Sequence, residues 1–369
     1  MKLGETISWL MGTLQRSLFP SLEECLPVPL TEKERQLVKI LEIVRVEGYV
    51  CVSAASQWMG RKLLERKSIA RSFVAKTVYG YPFTSTLVEA LKTTPNLRRI
   101  CGFERVSDIP SESTFSRAFA ECAKSGLGEK VLESLVERCL RSELIGHVSR
   151  DATAIEGREK PAKKPRKEKP APKKKKGRPK KGEPREPKEQ KRLDRQKEQT
   201  AEEALKDLPV LCDVGTKKNS KGYKESWVGY KLHADVNDCG LPLSVALTSA
   251  SLHDSQVAIP LMKMTSAKVD YLYDLMDAAY DARQIYEVSK SLGHVPIIDK
   301  NSRGQDVIPM APHEAVRYNE RTAAERFNSR MKEEFGARNV MVRGAQKVKL
   351  HLMFGVVALF ADQLIKLAT

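Results

Sequence analysis

The chain has 369 residues, of which 64 are Lys or Arg and 47 are Asp or Glu, so its formal net charge is +17. A hydrophobic fraction of 41% is enough for a folded core and excludes a fully disordered chain. The seven cysteines are dispersed and form no C-x-x-C pair, which excludes a disulfide framework and a zinc site built on cysteines.

Residues 1–143 are predicted to form an all-helical N-terminal domain. Apolar side chains recur at helical spacing in residues 32–46, 68–79 and 85–93. A further helix should begin after Pro110, with Ser111 or Ser113 as its N-cap. Helices joined by short turns are typical of helix-turn-helix DNA readers, and they are equally typical of a packing or dimerisation domain. Both interpretations stay open for this part of the chain.

Residues 158–200 are Lys- and Pro-rich, with 20 Lys and Arg against 7 Asp and Glu, so this segment carries +13 of the net charge. Such a composition cannot bury enough surface to offset chain entropy, and we predict a disordered insertion that turns helical towards residues 190–205. Its Gly-Arg-Pro core resembles an AT-hook that lies in the minor groove, with Lys176, Arg178, Lys180 and Lys181 as candidate DNA contacts. Binding of phosphates without groove preference is the alternative.

Residues 144–369 are predicted to form an α/β domain around this insertion. Strand patterns begin at residues 144, 229, 243, 270 and 294, and helix patterns cover residues 254–264, 281–292, 314–334 and 347–367. This order of elements is typical of a ribonuclease H-like fold, a mixed five-stranded sheet flanked by helices. The apolar run at residues 352–361 is about half the length that a bilayer requires, so we expect a buried terminal helix and a protein without a membrane partner.

Three carboxylates stand where this fold would bring them together. Asp151 lies in a small, apolar first strand, where a carboxylate needs a partner or a metal ion. Asp277 follows the apolar end of a later strand, where α/β sheets place ligands, and Glu325 lies in the long helix predicted at residues 314–334. Asp281 is a weaker alternative to Asp277, because it also fits an N-cap of the next helix.

Four polar residues of that long helix fall on one stripe, since Tyr318, Arg321, Glu325 and Lys332 lie within about 60° of each other at 100° per residue. The stripe places one carboxylate between two cations. A solvated helix face with an i,i+4 Arg321–Glu325 pair explains the same spacing. The stripe alone therefore does not decide between a site and a surface.

These residues resemble a known family. Tyr318-x2-Arg321-x3-Glu325-x6-Lys332 is similar to the Tyr-Arg-Glu-Lys signature of bacterial insertion-sequence transposases with a DDE triad. Four further segments resemble motifs of the same family, namely Ser149-Arg-Asp-Ala-Thr, Gly229-Tyr-Lys-Leu-His, Ser251-Leu-His-Asp-Ser and Met276-Asp-Ala-Ala-Tyr-Asp. The resemblance covers residues 83–366 and excludes the basic insertion.

The resemblance implies a DNA transposase that binds terminal inverted repeats and performs metal-dependent phosphodiester cleavage and strand transfer. Asp151, Asp277 and Glu325 would bind Mg²⁺, for which Mn²⁺ can substitute. Tyr318, Arg321 and Lys332 would hold phosphates of the transposon end. A homodimer on double-stranded DNA and a location in the bacterial cytoplasm, at the nucleoid, are further expectations.

One family feature is missing, and two other functions remain possible. Only about 15 residues separate residues 298 and 314, so the β-rich insertion with which some members stack a flipped base does not fit, and a hairpin intermediate using that device is in doubt. The alternatives are a transposase-derived DNA-binding protein without catalysis and a ribonuclease H-like nuclease that cuts by DNA shape. Asp254, after His253, is expected to cap a helix, and Lys231 is a candidate DNA contact or a solvated side chain.

Overall fold

The computed structural model describes residues 28–50, 66–163, 191–218, 222–302 and 309–368. Residues 28–143 of this part contain only helices and turns, as predicted. The α-helices are α1 Glu32–Val44, α2 Arg66–Val78, α3 Thr84–Thr93, α4 Pro95–Cys101, α5 Glu112–Ser125 and α6 Leu127–Leu140. Thr31 caps α1, and its side chain and that of Glu34 bond each other's backbone N–H groups in a capping box.

The remaining described residues form a mixed sheet flanked by helices. Its strands are β1 Leu144–Glu156, β2 Asp213–Lys218, β3 Lys224–Asn237, β4 Pro242–Ser249, β5 Asp270–Met276 and β6 Val295–Ile298. The helices are α7 Arg192–Glu198, α8 Ala201–Lys206, α9 Ser255–Ser266, α10 Arg283–Ser291, α11 Pro312–Tyr318, α12 Thr322–Glu333 and α13 Ala345–Ala368.

Strand β1 is the centre of the sheet. It pairs antiparallel with β3 and parallel with β5, while β4 adds to β3 and β6 adds to β5. Helix α12 covers one face of β1 and β3, and α9 lies on β3 and β4. Neighbouring residues of a strand point to opposite faces, so Asp151 faces α12 and Arg150 faces α9. The order and pairing are those of the predicted ribonuclease H-like fold.

The described sheet has six strands, where the sequence predicted five. The extra strand β2 pairs with residues 224–229 of β3, which extends well before the predicted start at Gly229. Gly229 has φ 153°, and a Cβ there would lie 2.1 Å from the carbonyl oxygen of Ile155. The glycine is therefore required where β3 crosses closely over the end of β1.

The predicted disorder of the basic insertion is wrong for the part of it that the structure describes near its end. Residues 164–190, which include Lys176, Arg178, Lys180 and Lys181, lie outside the described residues. Residues 191–200 are not disordered, because α7 packs on α9 and α10. Gln196 is fully buried and donates to the Gln256 carbonyl at 2.9 Å, and Lys197 pairs with Glu287 at 2.7 Å. The partly helical end predicted from residue 190 onward is confirmed.

Helix α13 joins the two parts of the chain. It packs against α1, α2, α5 and α6, and Phe354 lies 5.6 Å from Phe73 between ring centroids. By length and composition alone the helix could cross a membrane, but 83% of its most apolar window is buried in the fold. It therefore serves as a core helix, as the sequence predicted, and the largest apolar cluster extends through both parts.

Candidate active site

Asp151 lies in the middle of β1, opposite Ala234 of β3. The Asn328 side chain of α12 donates to its Oδ2 at 3.0 Å. Burial raises the pKa of Asp151 to about 6, and the nearby negative charges of Asp277 and Asp254 raise it further, against a hydrogen bond from the Ala152 backbone. A half-buried carboxylate with so little compensation fits a cation.

Asp277 is brought to the same level because β1 and β5 are parallel neighbours. Ser149 pairs with Leu275, and each catalytic candidate follows two residues later. Asp277 caps the short 3-10 turn of residues 278–280, where its Oδ1 accepts from the Ala279 N–H at 3.0 Å. Burial raises its pKa, the Asp254 charge adds to this, and Arg321 opposes it. The two aspartates therefore share one electrostatic environment.

Glu325 is placed differently. Its Oε1 accepts from Arg321 Nη2 at 2.5 Å, and its side chain is 52% exposed, against 19% for Arg321. The Arg321 charge also acts on Asp151 and Asp277 and lowers the pKa of both. Arg321 is thus the cation whose charge acts on all three carboxylates.

The predicted continuous helix over residues 314–334 is wrong. Helix α11 ends at Tyr318, residues 319–321 form a 3-10 turn, and α12 begins at Thr322. The turn winds more tightly than an α-helix, so Tyr318 leaves the regular stripe. The Tyr318 ring still lies near Arg321, with 5.5 Å from the guanidinium carbon to the ring centroid.

Lys332, the last member of the stripe, lies at the far end of α12 in a cleft of about 520 Å³. Burial lowers its pKa, and the positive charges of Lys217 and Arg338 lower it further. Trp227 of β3 lines the same cleft. Lys332 therefore lies beside two other cations, and the charges of Asp151 and Glu156 also act on it.

The carboxylates do not converge on one point. Among the described residues, no group of three His, Cys, Asp or Glu side chains has the geometry to hold a metal ion. Asp151 and Asp277 nevertheless fit such an ion, because both are desolvated hard-oxygen donors with raised pKa values. Glu325 belongs to the same set only if its side chain leaves Arg321.

Sequence reasoning missed the role of Asp254. It stands at the N-cap position of α9 but makes no capping hydrogen bond. Its Oδ1 instead pairs with Lys231 Nζ at 2.8 Å, and this ammonium also donates to the Leu252 carbonyl at 2.8 Å. Lys231 is thus engaged inside the fold. The Ser-Leu-His-Asp-Ser segment was the available signal.

Asp281, the alternative second carboxylate, is bound elsewhere. It accepts from the Asn301 N–H at 3.2 Å and the Tyr286 hydroxyl at 3.4 Å. Its expected role as the N-cap of α10 is wrong, because Ala282 holds that position. Asp277 is therefore the better candidate at the end of β5.

A fully buried charge network lies on the opposite face of the sheet. Arg150, next to Asp151 in β1, donates to Asp235 of β3 at 2.7 Å and to Asp274 of β5 at 3.3 Å. Thr265 and Ser289 each donate to one of these carboxylates at 2.6 Å. The network ties β1 to both neighbouring strands directly behind Asp151.

Replacement of Asp151 by Asn should stabilise the metal-free protein by about 2 kcal/mol at pH 7.5. The folded pKa of about 6 exceeds the unfolded value, so the charged carboxylate destabilises the fold above pH 6. The gain should shrink as the pH falls through 6 and disappear below about 4. Urea unfolding in EDTA at several pH values measures it, and Asp270→Asn, at an exposed carboxylate, is the control. A gain independent of pH would contradict the assignment.

The chain matches two models of known protein families. The family model described as "Transposase DDE domain" matches residues 145–361, and the model described as "Transposase domain (DUF772)" matches residues 27–121. No curated protein and no solved structure matches the chain. The first matched segment contains Asp151, Asp277 and Glu325, and the second ends inside α5.

Proposed function

Because the chain belongs to the family of transposases with a DDE domain, we propose that it cuts and joins DNA at the terminal inverted repeats of an insertion sequence. The observation that carries this proposal is the placement of Asp151 and Asp277 at one level of neighbouring parallel strands, both with raised pKa values. Metal-dependent phosphoryl transfer requires desolvated carboxylates that lie side by side, as these two do.

We propose that Asp151, Asp277 and Glu325 together hold Mg²⁺, with Mn²⁺ as a substitute. The bound metal would supply Lewis-acid activation of water or a DNA 3′-hydroxyl. Asn328 orients Asp151 through its 3.0 Å hydrogen bond, and the Ala279 N–H orients Asp277. These hydrogen bonds therefore hold the side chains of Asp151 and Asp277 in place before the substrate binds.

Arg321 has two proposed roles. Its guanidinium now pairs with Glu325, and a DNA phosphate offers it a better bidentate partner. When Arg321 turns to the phosphate, Glu325 is released towards Asp151 and Asp277. Tyr318 and Lys332 would bind further phosphates, so assembly of the carboxylates depends on DNA.

Replacement of Arg321 by Gln should therefore tighten divalent-metal binding about tenfold in the absence of DNA. The change removes a competing positive charge and frees Glu325. Titration calorimetry with Mg²⁺ and Mn²⁺ measures the affinity without any cleavage. Arg326→Gln is the matched control, since Arg326 lies in helix α12, which begins directly after Arg321, and bonds only Thr322 among the described residues. Unchanged or weaker metal binding in Arg321→Gln would contradict the two roles.

A cleavage assay on the DNA that flanks the gene tests the function itself. Cutting at inverted-repeat ends followed by joining to target DNA supports transposition. Specific binding without cutting would identify a transposase-derived DNA-binding protein, and cutting of branched DNA without inverted repeats would identify a structure-selective nuclease. The presence of all three carboxylates favours catalysis over a DNA-binding protein that does not cut. The match of residues 27–121 to a transposase domain favours a transposase over a structure-selective nuclease.

The remaining expectations follow from this proposal. Residues 1–143 would act as a DNA-binding domain and residues 144–369 as the catalytic domain, with the basic insertion adding phosphate contacts through Lys176, Arg178, Lys180 and Lys181. Joining two transposon ends requires two active sites, which favours a homodimer on DNA. The bacterial cytoplasm is where such DNA is found.

A further inference from the structure

A cavity of about 430 Å³ lies between the N-terminal helices and the turn that precedes α13. Helices α2 and α5 form one wall, and residues 341–343 with α13 form the other. The two matched family regions thus meet at this cavity, and no carboxylate of the candidate active site lines it. Its volume lies in the range of small-molecule sites and is sufficient for one nucleotide.

The cavity is strongly positive. Lys76, Arg158, Arg343 and Lys347 line it, and Glu112 is the one carboxylate among its lining residues. None of the four cations forms a salt bridge with a carboxylate in the described parts of the chain. The nearby Glu159 is engaged by the Gly344 N–H at 3.1 Å and by the Tyr230 hydroxyl. Four cations therefore face one carboxylate among the described residues that line the cavity.

Lys76 is the deepest of these cations. It is only 8% exposed, and its ammonium donates to the Pro82 carbonyl at 3.1 Å, its one acceptor among the described residues. Burial lowers the pKa of Lys76 to about 8, and burial also lowers that of the neighbouring His351 to about 4, so the imidazole is neutral. A buried ammonium with unused donors is costly unless an anion completes its partners.

The cavity floor is aromatic. Phe73 and Phe119 meet edge to face at 4.9 Å between ring centroids, and Phe354 lies 5.6 Å from Phe73. Bases pack favourably on aromatic side chains whatever their sequence. A cavity lined by an ammonium and by aromatic rings therefore matches a ligand with one anionic and one flat apolar end.

We propose that this cavity binds one nucleotide, with its phosphate on Lys76, Arg343 and Lys347 and its base over the phenylalanine floor. The nucleotide comes either from an unpaired end of the DNA substrate or from a free nucleoside monophosphate. Only the first source rests on the proposed function. Because residues of both matched regions line the cavity, a bound nucleotide would contact both regions at once.

Titration calorimetry with the full chain in EDTA tests the site, because no metal then reaches the carboxylates. The wild-type protein should bind dAMP saturably, and deoxyadenosine, which lacks the phosphate, at least about tenfold more weakly. Lys76→Met should lose about tenfold in dAMP affinity. Lys268→Met is the matched control, since Lys268 is also desolvated but bonds Leu243 and Ser244 outside this cavity. Equal dAMP affinity in Lys76→Met and wild type, or no saturable binding by wild type, overturns the proposal.

A rim variant keeps the test valid if Lys76→Met does not fold. The double substitution Arg343→Gln and Lys347→Gln should weaken dAMP binding by a similar factor, whereas Lys349→Gln, two residues further on α13 and paired with Glu129, should not. Displacement of dAMP by a short single-stranded oligonucleotide identifies DNA as the source, and the absence of displacement identifies the free nucleotide. Neither readout depends on cleavage, so loss of transposition chemistry leaves this test unaffected.

Discussion

Asp151→Asn, Asp277→Asn and Glu325→Gln should each reduce cleavage of cognate transposon ends by roughly 10³-fold. Each substitution removes one hard anionic oxygen donor, and the stabilisation of transition-state charge that depends on it amounts to about 4 kcal/mol. The loss should appear in the first-strand cut as well as in strand transfer, since the same carboxylates serve both. Nicking of labelled inverted-repeat DNA in Mg²⁺ measures the first step.

The controls use the same chemical changes at neighbouring positions. Asp281→Asn alters the other carboxylate after β5, and Glu320→Gln alters an exposed glutamate next to Arg321. Both should retain cleavage within about threefold, the size of a surface effect. If Asp281→Asn is inactive and Asp277→Asn is active, the second carboxylate is misassigned. If all three carboxylate variants transfer strands, the DDE assignment is wrong.

Metal binding adds a readout that separates folding from chemistry. The Asp151 variant should be at least as stable as the wild type without metal, because it lacks a desolvated charge. Added metal should nevertheless raise its free energy of unfolding less than that of the wild type, because a metal ion stabilises the fold only by binding to the folded state. A variant that is inactive and unstable would indicate damage to the fold, whereas an inactive and stable one indicates a lost ligand.

The fold was accessible from the sequence because its signals are local. Alternating apolar residues predicted β3 and β4, and the apolar run before Asp277 predicted the end of β5. Asp277 could be placed because α/β sheets present their ligands at the carboxyl ends of strands. Predictions of this kind need only the periodicity of each segment and the order of the segments.

What the sequence did not reveal depends on contacts between distant segments. The break after Tyr318 leaves no glycine or proline as a signal, and Asp254 is diverted from its cap by Lys231, which lies 23 residues away. The buried Arg150 network joins residues 85 and 124 positions apart. From sequence alone, an arginine beside a candidate catalytic aspartate is easily interpreted as a DNA contact, and its burial excludes that role for Arg150.

Arg150→Met should lower the free energy of unfolding by about 3–5 kcal/mol, the largest stability effect expected in this chain. The substitution leaves Asp235 and Asp274 fully buried without their cation, and burial already raises the pKa of Asp235 in spite of Arg150. Asp235 must then take up a proton, or repulsion between the two carboxylates drives the strands apart. Urea unfolding at pH 7 measures the loss, and the loss should be smaller at pH 5, where protonation of Asp235 costs less.

Two further variants distinguish the loss of the Arg150 charge from the loss of its side-chain packing. The triple substitution Arg150→Met, Asp235→Asn and Asp274→Asn removes all three charges and should regain at least about half of the stability. Arg141→Met breaks an exposed Arg–Glu pair and should cost less than about 1 kcal/mol. If the triple variant is as unstable as Arg150→Met, packing of the arginine side chain outweighs its charge. If the triple variant is stable but cuts DNA poorly, the buried network positions Asp151 through β1. Arg150, Asp235 and Asp274 are fully buried on the opposite face of the sheet, so they cannot act by touching the substrate.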